Sequence, residues 1–160
     1  MTSMTPSDTR NRLAELLEAG IGATDALRVQ LTAERQALEA QDSAALELAA
    51  GAKSHCLQTL EQLEQDRLAF LSDCGFSNDN NGMQALCKSV DNTDKLAVTW
   101  QRYQALARDC QQANMTNGAI LRLRHQQIAA ALAALSGRRA ETYGPAGTAS
   151  GGGCRALAEA

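Results

Sequence analysis

The sequence predicts an all-α fold: an antiparallel bundle of three long helices with coiled-coil-like packing, one short connecting helix and a flexible C-terminal tail. Alanine and leucine supply 51 of the 160 residues, whereas valine and isoleucine together supply six and aromatic residues 3%. The 138 residues from Ser7 to Gly144 contain no proline. Because strands draw on β-branched and aromatic side chains and proline interrupts helices, this composition favours long helices over a sheet.

The first helix is predicted to begin near Ser7 or Asp8, either of which can cap the free backbone amides that follow Pro6. Its buried positions alternate three and four residues apart, as on one face of an amphipathic helix. This seam consists of Leu13, Leu17, Gly20, Thr24, Leu27, Leu31, Glu34 and Leu38. The repeat stops at the polar residues 41–43, which indicate a tight turn or a slight jog.

The second helix is predicted over residues 43–73, with Asp42 or Ser43 as its N-cap. Its seam consists of Leu46, Ala49, Lys53, Cys56, Leu60, Leu63, Arg67 and Phe70. Residues 77–82, Ser-Asn-Asp-Asn-Asn-Gly, form the strongest turn cluster in the chain. Residues 83–90 after it are predicted to form the short connecting helix.

Two interleaved seven-residue repeats predict a third long helix that ends at Leu135. One series is Leu96, Tyr103, Cys110, Asn117, Arg124 and Ala131, and the other is Trp100, Ala107, Asn114, Leu121, Ile128 and Leu135. The alternative is a loop at residues 114–118, because Asn-Met-Thr-Asn-Gly is typical of turns. The unbroken phase favours a single helix of about 44 residues, since a loop would rarely preserve register. Trp100 and Tyr103 are expected to be buried against the second helix.

The helical pattern stops after Gly137. We therefore expect a bundle domain at residues 1–137 and a flexible, glycine-rich tail at residues 138–160. The longest apolar run, residues 128–135, has eight residues, far fewer than the roughly 20 that span a bilayer. These features predict a cytoplasmic protein without membrane insertion.

The charge of the chain is divided between its halves. Residues 1–80 carry a net charge of −7 and residues 81–160 carry +4, which sum to −3. An acidic and a basic half suit packing of one on the other, and the small total charge predicts no nucleic-acid partner.

The sequence offers little for catalysis. His55 and Cys56 are adjacent, but neighbours on a helix point about 100° apart and do not form a nucleophile–base pair. His125 is expected on the surface. No zinc-protease motif, phosphate-binding glycine loop or paired-cysteine knuckle occurs. The sequence therefore predicts no enzyme, no catalytic residues, no cofactor and no metal site.

Two asparagines in the third helix are candidates for a structural polar seam. Asn114 and Asn117 lie one turn apart at positions that face the core. A buried asparagine costs stability but fixes register, because its amide must find a partner. The alternative is a capping or loop role for this pair.

Three groups of residues resemble the FlgN-type flagellar export chaperones. The run Asn114-Met-Thr-Asn-Gly-Ala-Ile-Leu121 and the later Thr142-Tyr-Gly-Pro-Ala-Gly147 look like two specific signatures of that family, although the family usually has an acidic residue at the position of Ala146. The spacing of a third group is also similar: Leu31, Glu34, Leu38, Asp42, Leu46, Lys53, Leu57, Leu60, Leu63, Arg67 and Leu71.

This resemblance implies a cytoplasmic chaperone of the flagellar type III secretion system that acts transiently at the export apparatus. Such proteins bind the C-terminal helical segments of the hook–filament junction proteins FlgK and FlgL, prevent their premature assembly and deliver them to the export gate, including its component FlhA. The alternative from another class is a structural coiled-coil dimerisation or scaffold module without client binding. A homodimer of the unladen protein is a further expectation.

The expected client surface is an apolar row near the end of the third helix, together with the tail around Tyr143. The row consists of Leu121, Ile128, Leu132 and Leu135. If two helices of about 30 residues flank one of 44, part of the longer helix stays uncovered. The alternative is that the row packs on Leu13 and Leu17.

Overall fold

The computed structural model describes residues 4–136 and confirms the predicted all-α fold. These residues divide into two compact units, one that ends at Leu123 and one that begins at Arg124, so the last turns of the helix that ends at Leu135 belong to the second unit. The expected tail, including Tyr143, lies outside the described residues, so the domain boundary after residue 137 stays a prediction. The helices are Pro6–Ala40 (α1), Ser43–Asp73 (α2), Asn80–Val90 (α3) and Lys95–Leu135 (α4).

Helix α1 begins one residue before the predicted start. Thr5 is the N-cap: its hydroxyl accepts from the Asp8 amide, while the Asp8 carboxylate accepts from the Thr5 amide, both at 3.2 Å. Pro6 fits the first helical position because its fixed φ suits a helix and no amide is needed there. The cap is therefore Thr5, and Asp8 contributes the second half of a capping box.

A two-residue turn joins α1 to α2, which confirms the tight-turn interpretation. Gln41 has the left-handed φ of 59°, and the Asp42 amide donates to the Ala37 carbonyl at 3.0 Å. The Asp42 carboxylate then accepts from the Ala45 amide at 3.0 Å, so one residue closes α1 and caps α2. Because the link is so short, α1 and α2 are antiparallel.

Helix α4 runs parallel to α1 and antiparallel to α2. The Cys110 thiol donates to the Thr24 carbonyl at 3.5 Å, and seven residues later the Asn117 amide donates to the Leu31 carbonyl at 2.8 Å. A constant offset along both helices means that their registers match. All eight predicted seam positions of α1 are buried. Residues 114–118 are helical, so the single-helix prediction is confirmed and the loop alternative is wrong.

The main core lies where α3 meets the three long helices. Its buried members are Leu13, Leu16, Leu17, Phe70, Leu71, Met83, Leu86, Cys87, Leu96 and Trp100. Helix α3 begins at Asn80 rather than near Met83, because the Asp79 carboxylate accepts from the Gly82 amide at 2.7 Å and caps the helix. Turn-forming asparagines at positions 80 and 81 thus belong to the first turn of α3.

A buried carboxylate fixes the start of α4. The Asp91 carboxylate accepts from the Thr93 hydroxyl at 2.6 Å and from the Leu96 amide at 2.9 Å, and it lies 3.6 Å from Arg10. These hydrogen bonds, the Thr93 hydroxyl first, lower the pKa of Asp91 to about 2. Asp91 thereby ties the loop before α4 to both α4 and α1.

Substitution of Gly82 by alanine should destabilise the protein by about 1–3 kcal/mol, because a Cβ there would lie 1.9 Å from the Ser77 carbonyl oxygen. Gly22→Ala is the matched control, since a Cβ at that helical position meets nothing within 4 Å. The control should stabilise by about 0.5–1 kcal/mol. Urea unfolding measures both values, and equal effects of the two variants would contradict the close approach at Gly82.

The stabilising contribution of Asp91 should depend on pH in the acidic range. The pKa of Asp91 is about 2 in the folded chain and 3.8 without its partners, so its contribution is fully present above about pH 4 and lost as the pH falls towards 2. The stability difference between the wild type and Asp91→Asn should therefore shrink over that interval. Chemical unfolding at a series of pH values tests this, and a constant difference would count against it.

Candidate functional site

One concave surface of the first unit is a groove between α2 and α4, called here the α2–α4 groove. It has a volume of about 460 Å³. Its floor is formed by the buried side chains of Leu27, Leu31 and Cys110. Its walls include Leu57 and Leu60 from α2 and Tyr103, Ala107 and Asn114 from α4.

The groove exists because the heptad series of α4 that begins at Trp100 is buried only at its first position. Trp100 begins that series in the core, but Ala107, Asn114 and Leu121 are all exposed. Ala107 has only a methyl group as its side chain, and Leu57, which lines the same groove from α2, is 48% exposed. The three long helices thus leave an apolar groove that is open to solvent along one side. A fourth helix can fill a groove of this shape.

A polar bridge crosses the groove at Lys53. The Lys53 ammonium donates to the Glu34 carboxylate of α1 at 2.6 Å and to the Asn114 side-chain oxygen of α4 at 3.2 Å. Lys53 was predicted on the seam of α2, and the structure places it where all three long helices meet. The bridge separates the α2–α4 groove from a second pocket nearer the α1–α2 turn.

Asn117 completes the network from the opposite side of Glu34. Its amide nitrogen donates to the Glu34 carboxylate at 2.9 Å and to the Leu31 carbonyl at 2.8 Å, and the residue is 3% exposed. Each carboxylate oxygen of the buried Glu34 therefore has its own donor, as a charge in a low-dielectric site requires. Asn117 lies in the core as predicted, whereas Asn114 lies exposed at the groove edge.

The second pocket, called here the turn-end pocket, has a volume of about 710 Å³. Leu38 and Leu46 line it from the two sides of the α1–α2 turn, and Leu121 lines it from α4. Leu121 is 36% exposed, so this member of the predicted client surface stands at the rim of a pocket. The pocket was not predicted, because it depends on how far α4 stands from the turn.

The second unit contains three further residues of the predicted client surface, Ile128, Leu132 and Leu135. These three residues are called here the aliphatic row. Ile128 is 57% exposed, Leu132 61% and Leu135 86%. They recur every three or four residues on α4, so they share one face of the helix. Leu13 and Leu17, which the alternative used as the packing partners, are fully buried in the main core beside Leu71 and Trp100.

An aromatic and charged cluster closes the other end of the α2–α4 groove. The Arg67 guanidinium lies 5.1 Å from the centre of the Trp100 ring and makes two hydrogen bonds to Glu64, at 2.6 and 2.8 Å. Trp100 is buried against α2 as predicted and also donates to the Asn80 side-chain oxygen at 2.9 Å. Tyr103 is only half-buried, and its ring packs against α1 at Gly20. A Cβ added at Gly20 would lie 2.7 Å from the Tyr103 ring.

The described cysteines are free, and their surroundings make three of them poor nucleophiles. Burial raises the pKa of the Cys87 thiol to about 11, with a smaller contribution from Asp91. Burial also raises the pKa of Cys74 and of Cys110. At neutral pH these thiols are protonated, and the thiolate is the reactive form. Cys154 lies outside the described residues.

Residues 4–136 contain neither a membrane-spanning helix nor a cluster of metal ligands. No helix in this part of the chain combines the length and the apolar character needed to cross a membrane. The same residues hold no group of three or more His, Cys, Asp or Glu side chains placed to bind a metal ion.

The fold and the grooves define an all-helical protein with apolar surfaces of the kind that bind other helices. In a comparison with models of known protein families, residues 1–151 match the family described as "FlgN protein". The chain therefore belongs to the FlgN family, which is a family of chaperones. Membership of this family indicates a role in flagellar export. No curated protein and no solved structure gives a significant match.

Removal of the Lys53 ammonium should strongly destabilise the bundle, because Glu34 would remain buried without its cation. We expect Lys53→Met to cost about 2–3 kcal/mol and the double variant Glu34→Gln/Lys53→Met to recover most of that loss. Arg28→Met is the control: it breaks the exposed ion pair with Asp25, 3.0 Å long, and should cost at most about 0.5 kcal/mol. Similar losses in the two single variants, measured by urea unfolding, would disprove the role of Lys53.

Proposed function

We propose that this protein is a cytoplasmic flagellar export chaperone for the hook–filament junction proteins FlgK and FlgL. It binds their C-terminal helical segments, prevents premature assembly and delivers them to the export gate, including its component FlhA. It acts without catalysis and without a cofactor, and it is transiently located at the cytoplasmic face of the export apparatus. The match to the FlgN family over residues 1–151 carries this proposal.

The α2–α4 groove supports a helix-binding role. Its floor is apolar and its edges are polar, so an amphipathic client helix can bury its apolar side while its polar side stays in water. Lys53 and Asn114 lie at one end of the groove and offer polar contacts that fix the position of a bound helix. The groove, which the sequence did not predict, is one candidate contact for the client.

The aliphatic row is the other candidate contact. Ile128, Leu132 and Leu135 expose their side chains on one helical face, and covering such a row removes apolar surface from water at about 25 cal/mol per Å². Leu121 at the rim of the turn-end pocket and Tyr143 in the tail remain part of the proposed client surface.

A structural coiled-coil module is the competing function, and the same exposed row favours it. Two copies that paired through Ile128, Leu132 and Leu135 would bury the row without any client. A homodimer of the unladen chaperone would also use this contact and give it up when a client binds. Sedimentation with and without client distinguishes the two, because only the chaperone exchanges its dimer for a 1:1 complex.

Client binding should depend on the aliphatic row. Calorimetry with synthetic C-terminal segments of FlgK and FlgL should show 1:1 binding, and Ile128→Asp/Leu132→Asp should weaken it at least about tenfold. The melting temperature should change little, because both side chains are more than half exposed. No binding of either segment at about tens of micromolar protein would remove the chaperone proposal.

The matched control for this experiment is Val98→Asp. Val98 lies on the same helix and is 62% exposed, against 61% for Leu132, but it is 30 residues before Ile128 and lies outside the aliphatic row. Its substitution should leave client affinity unchanged. An equal loss of affinity in Val98→Asp would mean that added negative charge on α4, rather than loss of the aliphatic row, weakens binding.

A further inference from the structure

The part of the chain that includes the aliphatic row has no acidic residue. Residues 110–140 contain no Asp or Glu, which is the longest such interval in the sequence. The same interval contains four arginines and one histidine: Arg122, Arg124, Arg138, Arg139 and His125. The rest of the chain is acidic, so this segment differs from its surroundings in the sign of its charge.

Two of these basic residues flank the aliphatic row directly. At about 100° per residue, Arg124 lies about 40° to one side of Ile128 around the helix, and His125 lies about 60° to the other side. Leu132 and Leu135 fall between them on the same face. His125 is exposed and Arg124 is half-buried, and within residues 4–136 neither forms an ion pair.

We propose that the partner of this surface is an amphipathic helix that carries Asp or Glu beside its own aliphatic row. This inference rests on the proposed function, because it names the chemistry of the client helix that the row accepts. Apolar contact between the two rows supplies most of the affinity, and the carboxylates meet Arg124 and His125 at the edges. Charges at the rim mainly affect which partner is chosen and how fast it associates.

The same charges disfavour a second copy of this row as the partner. Two identical rows that faced each other would bring like-charged arginine side chains into one interface, and like charges there weaken association. A helix with basic flanks is disfavoured for the same reason. Charge complementarity therefore favours an acidic partner helix over self-pairing.

Three synthetic peptides of equal length and identical leucine row test this proposal with the full-length protein. They differ only in the residues beside the leucines, which are Glu, Gln or Lys, and circular dichroism verifies that their helix contents match. Fluorescence anisotropy should give the affinity order Glu, Gln, Lys, with about tenfold between the first and the last at low salt. The difference should shrink at about 0.5 M salt, where exposed charges are screened.

Reversal of the flanking charges should reverse this order. The double variant Arg124→Glu/His125→Glu should bind the Lys peptide more tightly than the Glu peptide. Arg102→Glu/Arg108→Glu is the control, because these exposed arginines lie on the same helix at positions outside both heptad series. The control lowers the net charge by 4, whereas the flanking variant lowers it by 3 with His125 neutral. The control should nevertheless keep the wild-type order, since negative charge away from the flanking positions does not create the contact.

Several results would overturn the proposal. Equal affinities for the three peptides, or no binding of any of them, would reject an acidic partner helix. A concentration-dependent dimer that Ile128→Asp/Leu132→Asp abolishes, and that the Glu peptide does not dissociate, would assign the row to a second copy instead. FlgK and FlgL segments that bind the charge-reversed variant as tightly as the wild type would refute this inference and leave the proposed function intact. The converse result is that the three peptides bind with the expected order of affinity while the FlgK and FlgL segments do not bind at all. That result would refute only the proposed function.

Discussion

The bundle depends on the buried carboxylate of Glu34. A charge in this position is tolerable only while Lys53 of α2 and Asn117 of α4 both donate to it, so one residue of α1 sets the register of two other helices. A shift of either helix by one turn would take away one of these two donors and leave one carboxylate oxygen without a partner. Apolar side chains alone restrict register much less, because leucines and alanines pack acceptably in several registers.

Much of the fold follows from periodicity, and the buried face of α1 shows why. Every predicted seam position there is buried, including Gly20, Thr24 and Glu34, which composition alone would have placed in a turn or on the surface. Position in the repeat decided the outcome because residues three and four apart share one face of a helix. The helical state of residues 114–118 follows in the same way, since the phase of the repeat outweighed turn-forming residue types.

The α2–α4 groove could not be predicted from the sequence, because it depends on the distances between helices. Ala107 and Leu121 continue the repeat that begins at Trp100, yet they are exposed, since burial at one position of a series does not guarantee a partner at the next. The exact starts of α1 and α3 were also missed, because Thr5 and Asp79 act as caps where several neighbouring residues could have done so equally well, whereas the start of α2 after Asp42 was predicted correctly. The network around Glu34 could have been suspected from polar residues at seam positions in all three long helices.

The two-residue turn at Gln41 and Asp42 determines the order in which the fold can be assembled on the ribosome. Contacts between α1 and α2 near the turn join residues close together in the chain, such as Glu34 and Lys53, which are 19 residues apart. Those between α1 and α4 join residues 86 apart. Since loop closure becomes more costly with length, the α1–α2 hairpin can form while later residues are still being synthesised. Until α4 follows, the hairpin exposes Leu27 and Leu31, which makes the nascent chaperone itself a temporary candidate for unwanted association.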